Sequence, residues 1–127
     1  MIEKFGIGID IVDVASFEKI PYSSKRGFYE KIFLPSEIKY CLKYKNPYER
    51  FAGKFAIKEA VKKSISENVS PLKILVSHSN SKPKVDLIGM KKTNYTFIAS
   101  ISHDKKLAVG VVLAEKIKSK TKTKSNS

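Results

Sequence analysis

Between Phe5 and Val14 the chain alternates strictly, with Phe5, Ile7, Ile9 and Ile11 on one face and Gly6, Gly8, Asp10 and Val12 on the other. This two-residue period predicts a half-buried β-strand at the start of the fold. The second face is nearly bare at the glycines, so something can approach the backbone closely beside the Asp10 carboxylate.

From Ala15 to about Leu42 the pattern turns to short helical stretches, broken between Pro21 and Ser24 and again near Pro35, with Lys and Arg at the exposed positions. Asn46, Pro47 and Glu49 then read as an N-cap, a first-turn proline and a capping-box partner. They predict a long helix to about Ser66, with Phe51, Ala52, Phe55, Ala56, Ala60, Val61 and Ile65 as its apolar face. After Pro71 the period returns to strands: Leu72 to Ser77, Lys84 to Leu87, Tyr95 to Ser102 and Leu107 to Glu115. A turn at Ser79 to Pro83 joins the first two, and HDKK joins the last two. The order predicts an α+β fold in which helices pack on one side of an antiparallel sheet.

With 127 residues, of which 42% are hydrophobic, the chain can bury the core of one domain. That domain is predicted to span residues 1–116, followed by a disordered Lys/Ser/Thr tail at 117–127. The formal charge is +13, and subtracting the five lysines of the acid-free segment Lys116 to Ser127 leaves +8 on the body, which calls for an anionic partner. Cys41 is the only cysteine, so no disulfide forms within the chain, and a reducing compartment is expected. No apolar run reaches spanning length and the N-terminus is charged within its apolar run, so the expectation is a cytoplasmic protein without a membrane partner.

Two carboxylates stand out. An ionised Asp10 inside an apolar strand needs a partner, either as a functional ligand or as a cap for the following helix; Asp13 is the better cap. Glu59 shares a helical stripe with Ala52, Phe55, Ala56 and Lys63, away from the cationic row of Arg50, Lys54 and Lys58, and is predicted to point inwards. The ordinary alternative is a surface pair with Lys63. Together, two hard oxygen ligands beside glycines and lysines suit Mg²⁺ carrying a diphosphate. His103 sits where a strand meets its turn, as a functional group or a backbone-bonded turn residue; His78 is placed in a polar loop without companions. Ser102, His103 and Asp104 are consecutive and cannot converge as a triad, and one cysteine without His-x-x-x-His argues against zinc.

Three segments, GIGIDIV at 6–12, ERFAGKFAIKEAVKK at 49–63 and SISHDKKLAVGVVL at 100–113, together resemble the holo-acyl-carrier-protein synthases, as do the intervening FLPSEIKYC and SKPKVDL. The resemblance implies the 4′-phosphopantetheinyl transferase fold, a homotrimer with coenzyme A between subunits, and Mg²⁺ on Asp10 and Glu59. It also implies the reaction: a serine hydroxyl of apo acyl carrier protein attacks the β-phosphate of coenzyme A, and adenosine 3′,5′-bisphosphate leaves, in the service of fatty acid biosynthesis. Lys63 would stabilise the leaving group, with Arg50, Lys54, Lys82, Pro83 and His103 around the donor. The base is left open between a carboxylate, His103 and a metal-bound water.

The basic first helices would dock the acidic carrier protein. Ser16 stands where the family has an arginine, so that contact passes to Lys19, Lys25, Arg26 or Lys31. Lys54 replaces the arginine of AGRF, turning a bidentate phosphate grip into a point charge. Family glycines are replaced at Ser64, Ser66, Asn68 and Ser81. These departures keep alive a non-catalytic docking subunit as a rival. A nucleic-acid binder using Tyr29, Tyr40, Tyr44 and Tyr48 as stacking platforms lacks a motif and leaves Asp10 and Glu59 unexplained, so no nucleic-acid partner is expected.

Overall fold

The computed structural model describes residues 2–89 and 94–117. In chain order the elements are β1 (Ile2–Asp13), α1 (Val14–Glu18), α2 (Arg26–Glu30), α3 (Pro35–Leu42), α4 (Pro47–Ser64), a 3₁₀ turn (Pro71–Lys73), β2 (Ile74–Ser79), β3 (Lys82–Leu87), β4 (Tyr95–His103) and β5 (Leu107–Ile117). The predicted α+β arrangement holds. β1, β5 and β4 form a three-stranded antiparallel sheet in that order, and β2 pairs with β3 as a separate hairpin.

The long helix starts where its cap residues placed it. Asn46 Oδ1 accepts from the Tyr48 amide at 3.2 Å, Pro47 occupies the first turn, and Asn46 Nδ2 donates to Glu49 Oε2 at 3.0 Å, a side-chain version of the expected capping box. The helix ends at Ser64, two residues short of the expected end. At the end of β1, Asp13 is the N-cap residue of α1 but makes no side-chain cap bond. Ser16 instead donates to its carbonyl at 2.6 Å.

The glycine face of β1 is the buried one, which corrects the sequence reading. A Cβ at Gly6 would come within 1.8 Å of the Ser64 carbonyl oxygen, and one at Gly8 within 1.9 Å of the Ala60 carbonyl oxygen. What approaches the bare backbone is therefore helix α4 rather than a ligand. The Phe5, Ile7, Ile9 and Ile11 face, by contrast, lies open at 56–70% exposure. It continues across Val109, Val111 and Leu113, their register partners on β5, to the exposed Ile98 on β4.

Two apolar clusters fill the space under α4, one with Phe17, Tyr29, Phe33 and Phe51, the other with Ile57, Val61, Ile74 and Val112. Tyr29 belongs to the core, its hydroxyl donating to the Ile20 carbonyl at 2.6 Å, and so offers no stacking platform. Lys54 and Lys58 of the cationic row also turn inwards. Lys58 spends its three protons on Glu37 Oε1 (2.7 Å), Pro71 O (2.9 Å) and Ile74 O (2.8 Å). Glu37 in turn accepts from the amides of Leu34 and Val76, both at 2.7 Å. This ion pair ties α3, α4, the 3₁₀ turn and β2 together, and its charges are fully satisfied, as buried charges must be. β5 continues to Ile117, one residue into the segment read as tail; 118–127 lie outside the described residues.

Candidate functional site

Helix α4 carries two groups of polar side chains on opposite faces. At about 100° per residue, Arg50 and Lys54 project together, while Glu59 and Lys63 point about 180° away and roughly 13 Å further along the axis.

On the first face, Arg50, Lys54, Tyr40, Tyr44, His78 and His103 line a cleft of about 320 Å³, together with Ser81 and Pro83 of the β2–β3 hairpin. The Arg50 guanidinium stacks over the Tyr44 ring at 3.9 Å, and the Lys54 ammonium lies over Tyr40 at 4.3 Å. Tyr40 stacks in turn on the His78 ring at 4.5 Å and 9°. Lys54 donates to the Val76 carbonyl at 2.6 Å, and its pKa is lowered chiefly by burial, with neighbouring Lys58 adding to the effect.

The sequence alone puts His78 in a polar loop without companions. It is in fact in β2, and burial followed by the Lys54 and Arg50 charges lowers its pKa to about 4. It is a neutral ring whose Nδ1 lies 3.5 Å from the Lys54 ammonium. His103 closes the cleft from the end of β4, with Nδ1 at 3.2 Å from Glu49 Oε1 and Nε2 at 3.4 Å from Arg50. The bland reading of His103 as a backbone-bonded turn residue gives way to side-chain contacts. Lys82 is exposed at the start of β3, between the cleft residues Ser81 and Pro83.

On the second face, Asp10 Oδ1 accepts from Lys63 at 3.0 Å, and Lys63 donates also to the Ile9 carbonyl at 3.0 Å. The close seating of β1 on α4 at Gly8 is what brings that ammonium within reach. Glu59 is one helical turn from Lys63 and pairs with Lys62 at 3.5 Å, so it sits at the edge of the helix face rather than pointing into the core. The i, i+4 pair with Lys63 is absent because Lys63 is engaged by β1. Among the described residues no three His, Cys, Asp or Glu side chains cluster for a metal. Asp10 and Glu59 are the hard oxygen donors on this face, the ligand type that Mg²⁺ takes alongside waters and substrate phosphates.

Within one chain the two faces do not converge. Sequence reasoning also missed Tyr40, Tyr44 and His78 as members of the cleft, and Glu49 as the partner of His103; only the alternation through LVSHS hinted that His78 belongs to a strand. Cys41 is buried and its thiol is pushed up to about 12, mainly by burial, so it is inert. A larger apolar groove beside α3, about 690 Å³ and lined by Phe33, Leu34, Ile38 and Leu72, holds none of the site residues expected from sequence. Lys19, Lys25, Arg26 and Lys31 are all exposed around α1 and α2. No helix among the described residues is long and apolar enough to cross a membrane.

A profile described as the 4′-phosphopantetheinyl transferase superfamily matches residues 6–112. A holo-[acyl-carrier-protein] synthase of Syntrophus aciditrophicus is 34% identical over 124 residues, covering 89% of this chain and 97% of its own. The crystal structure of the Helicobacter pylori holo-[acyl-carrier-protein] synthase in complex with coenzyme A superposes with a TM-score of 0.70 at 38% identity, over 85% of this chain and 98% of that one. The Bacillus anthracis enzyme, solved with CoA (3′,5′-ADP), gives 0.71 at 34% identity, over 88% and 96%. The fold, the matched span and relatives aligned over nearly their whole length agree, and the chain belongs to the 4′-phosphopantetheinyl transferase superfamily as a holo-[acyl-carrier-protein] synthase type of enzyme.

Proposed function

We propose that the chain transfers the 4′-phosphopantetheine group of coenzyme A to a serine of apo acyl carrier protein, with Mg²⁺, and releases adenosine 3′,5′-bisphosphate. The observation that carries this reading is the pair of faces on α4: an aromatic and cationic cleft suited to a nucleotide anion, and a carboxylate–lysine group suited to a metal-bound diphosphate. Two relatives above 30% identity were solved with coenzyme A or a fragment of it, which supports the same donor here.

Arg50 supplies a half-buried fork for phosphate oxygens, held in place by Tyr44. Lys54 adds a positive field from a fixed position, because one of its protons is committed to Val76. Lys82 and Pro83 form the hairpin rim. On the other face Asp10 and Glu59 would hold the Mg²⁺, which when bound offsets the charge of the phosphate oxygens. Lys63 is placed on Asp10 where it can turn to the leaving phosphate, so the protein's share of the catalysis is positioning and charge neutralisation.

Assembly as a homotrimer completes the site in this reading. The apolar sheet face of Phe5, Ile7, Ile9 and Ile11 is uncovered, and the two groups on α4 can meet only across a contact between copies. The exposed cations Lys19, Lys25, Arg26 and Lys31 would receive the acidic carrier protein. A lone buried thiol fits work in the cytoplasm, and the holo carrier would serve fatty acid biosynthesis.

The test is incubation with apo carrier protein, coenzyme A and Mg²⁺, followed by intact mass. One added phosphopantetheine, absent when a chelator is present, supports the enzyme. An unmodified carrier over the same time leaves the docking subunit as the better account.

A further inference from the structure

We propose that Glu49 is a positioning residue that holds His103 with its proton on Nδ1, leaving the Nε2 lone pair turned towards Arg50 and the cleft. The inference rests on the two contacts of one imidazole: Nδ1 lies 3.2 Å from Glu49 Oε1, and Nε2 lies 3.4 Å from an Arg50 guanidinium nitrogen. A guanidinium has only donors and a carboxylate ion only acceptors. The neutral ring satisfies both by donating through Nδ1 and accepting at Nε2. The opposite tautomer would set N–H against N–H and a lone pair against a carboxylate.

Glu49 is itself fixed. Its other oxygen accepts from Asn46 Nδ2 at 3.0 Å, while Asn46 Oδ1 takes the Tyr48 amide at 3.2 Å. The cap of α4 therefore extends as a short relay from Asn46 through Glu49 to a histidine at the end of β4. The same interaction that starts the helix sets the polarity of a ring in the cleft, and orienting partners of this kind decide which nitrogen of a histidine is available.

The functional consequence rests on the transfer reading. Nε2 has a single lone pair, which faces the Arg50 guanidinium, so His103 takes a proton from an arriving hydroxyl or water once that 3.4 Å contact opens, and it is not a standing donor to phosphate.

Nitrogen-15 NMR of the full chain reads the tautomer without any substrate, and with two histidines in the sequence the His78→Gln variant assigns the signals. The expected spectrum of the neutral ring shows Nδ1 protonated and Nε2 bare. In Glu49→Gln the amide keeps a carbonyl for Asn46 but offers N–H to Nδ1, so the tautomer reverses. A protonated Nε2 in the unaltered protein, or an unchanged tautomer in Glu49→Gln, overturns the assignment. Should Glu49→Gln fail to fold, Glu49→Asp draws the carboxylate back from Nδ1, and the preference for Nδ1–H should weaken; an undiminished preference again overturns it.

In the transfer assay Glu49→Gln is expected to lower kcat about 10–100-fold with little change in the KM for coenzyme A. An unaltered kcat with a reversed tautomer would overturn the proton-accepting role. Absence of transfer by the unaltered protein would instead refute the transfer reading and leave the tautomer assignment standing.

Discussion

Lys58 and Lys63 lie on the same helix and each holds a carboxylate, yet they serve different ends. Lys58 is sealed against Glu37 with both side chains at most 1% exposed, whereas Lys63 is 55% exposed against Asp10. The buried pair has its hydrogen-bonding groups matched to each other and to fixed backbone partners, and can only hold the fold. The open pair keeps an ammonium that solvent still reaches, beside a carboxylate that in the proposed reaction would hold a metal. One residue type on one helix is thus structural or chemical according to how much water reaches it.

The largest effect should come from breaking the buried side of this comparison. Glu37→Ala leaves Lys58 charged and unpaired in the core, and chemical denaturation should show a loss of about 3–5 kcal/mol. A loss under about 1 kcal/mol would mean that water reaches the pair and that the two lysines do not differ as argued. Asp10→Ala is the matching break on the open side, expected to cost at least about a hundredfold in transfer, read by intact mass, while the denaturation midpoint barely moves. Gly8→Ala joins the two sides, since its Cβ would meet the Ala60 carbonyl at 1.9 Å. It should destabilise by about 1–3 kcal/mol and, by pushing β1 from α4, also weaken transfer.

Acid should act through the cleft. His78 titrates at about 4 in the fold against an ordinary 6.5, because burial and the Lys54 and Arg50 charges disfavour its cation while Tyr40 stacks on its face. The unfolded chain then binds the proton first, so stability falls as pH drops from about 6.5 towards 4. His78→Gln should flatten that part of the curve in pH-dependent denaturation, and an unchanged slope would assign it to other groups. The smallest effect is expected at the hairpin, where Ser81 adopts a left-handed φ of 66° beside Asn80 at 53°. Ser81→Gly should stabilise by at most about 1 kcal/mol in the same measurement.

Much of this was legible in the chain. The Asn46–Pro47–Glu49 signal marked the start of α4, and alternation marked the strands, because both are local properties of backbone hydrogen bonding. Asp10, Glu59 and His103 stood out as candidates because a carboxylate in an apolar strand or on an apolar helical stripe, or a histidine at a strand end, is odd in its local setting, whereas the role of Lys63 came only from the family resemblance. What could not be read locally was which face of β1 the fold would cover. An isoleucine face and a glycine face both suit burial, and α4 took the glycine side because only there can its carbonyls approach within van der Waals range. Nor could spacing show that Glu49 serves His103, 54 positions away, or that His78 meets Tyr40 and Lys54.

By itself the sequence determined the elements, their order and the residues able to carry chemistry, since these follow from periodicity, caps and side-chain type within a few residues. Tertiary packing alone decided that Lys54 and Lys58 go inside, that an isoleucine face stays open, and that the cleft and the carboxylates stand back to back on one helix. Those outcomes depend on contacts between segments far apart in the chain, where burial and shape, not local propensity, set the energy.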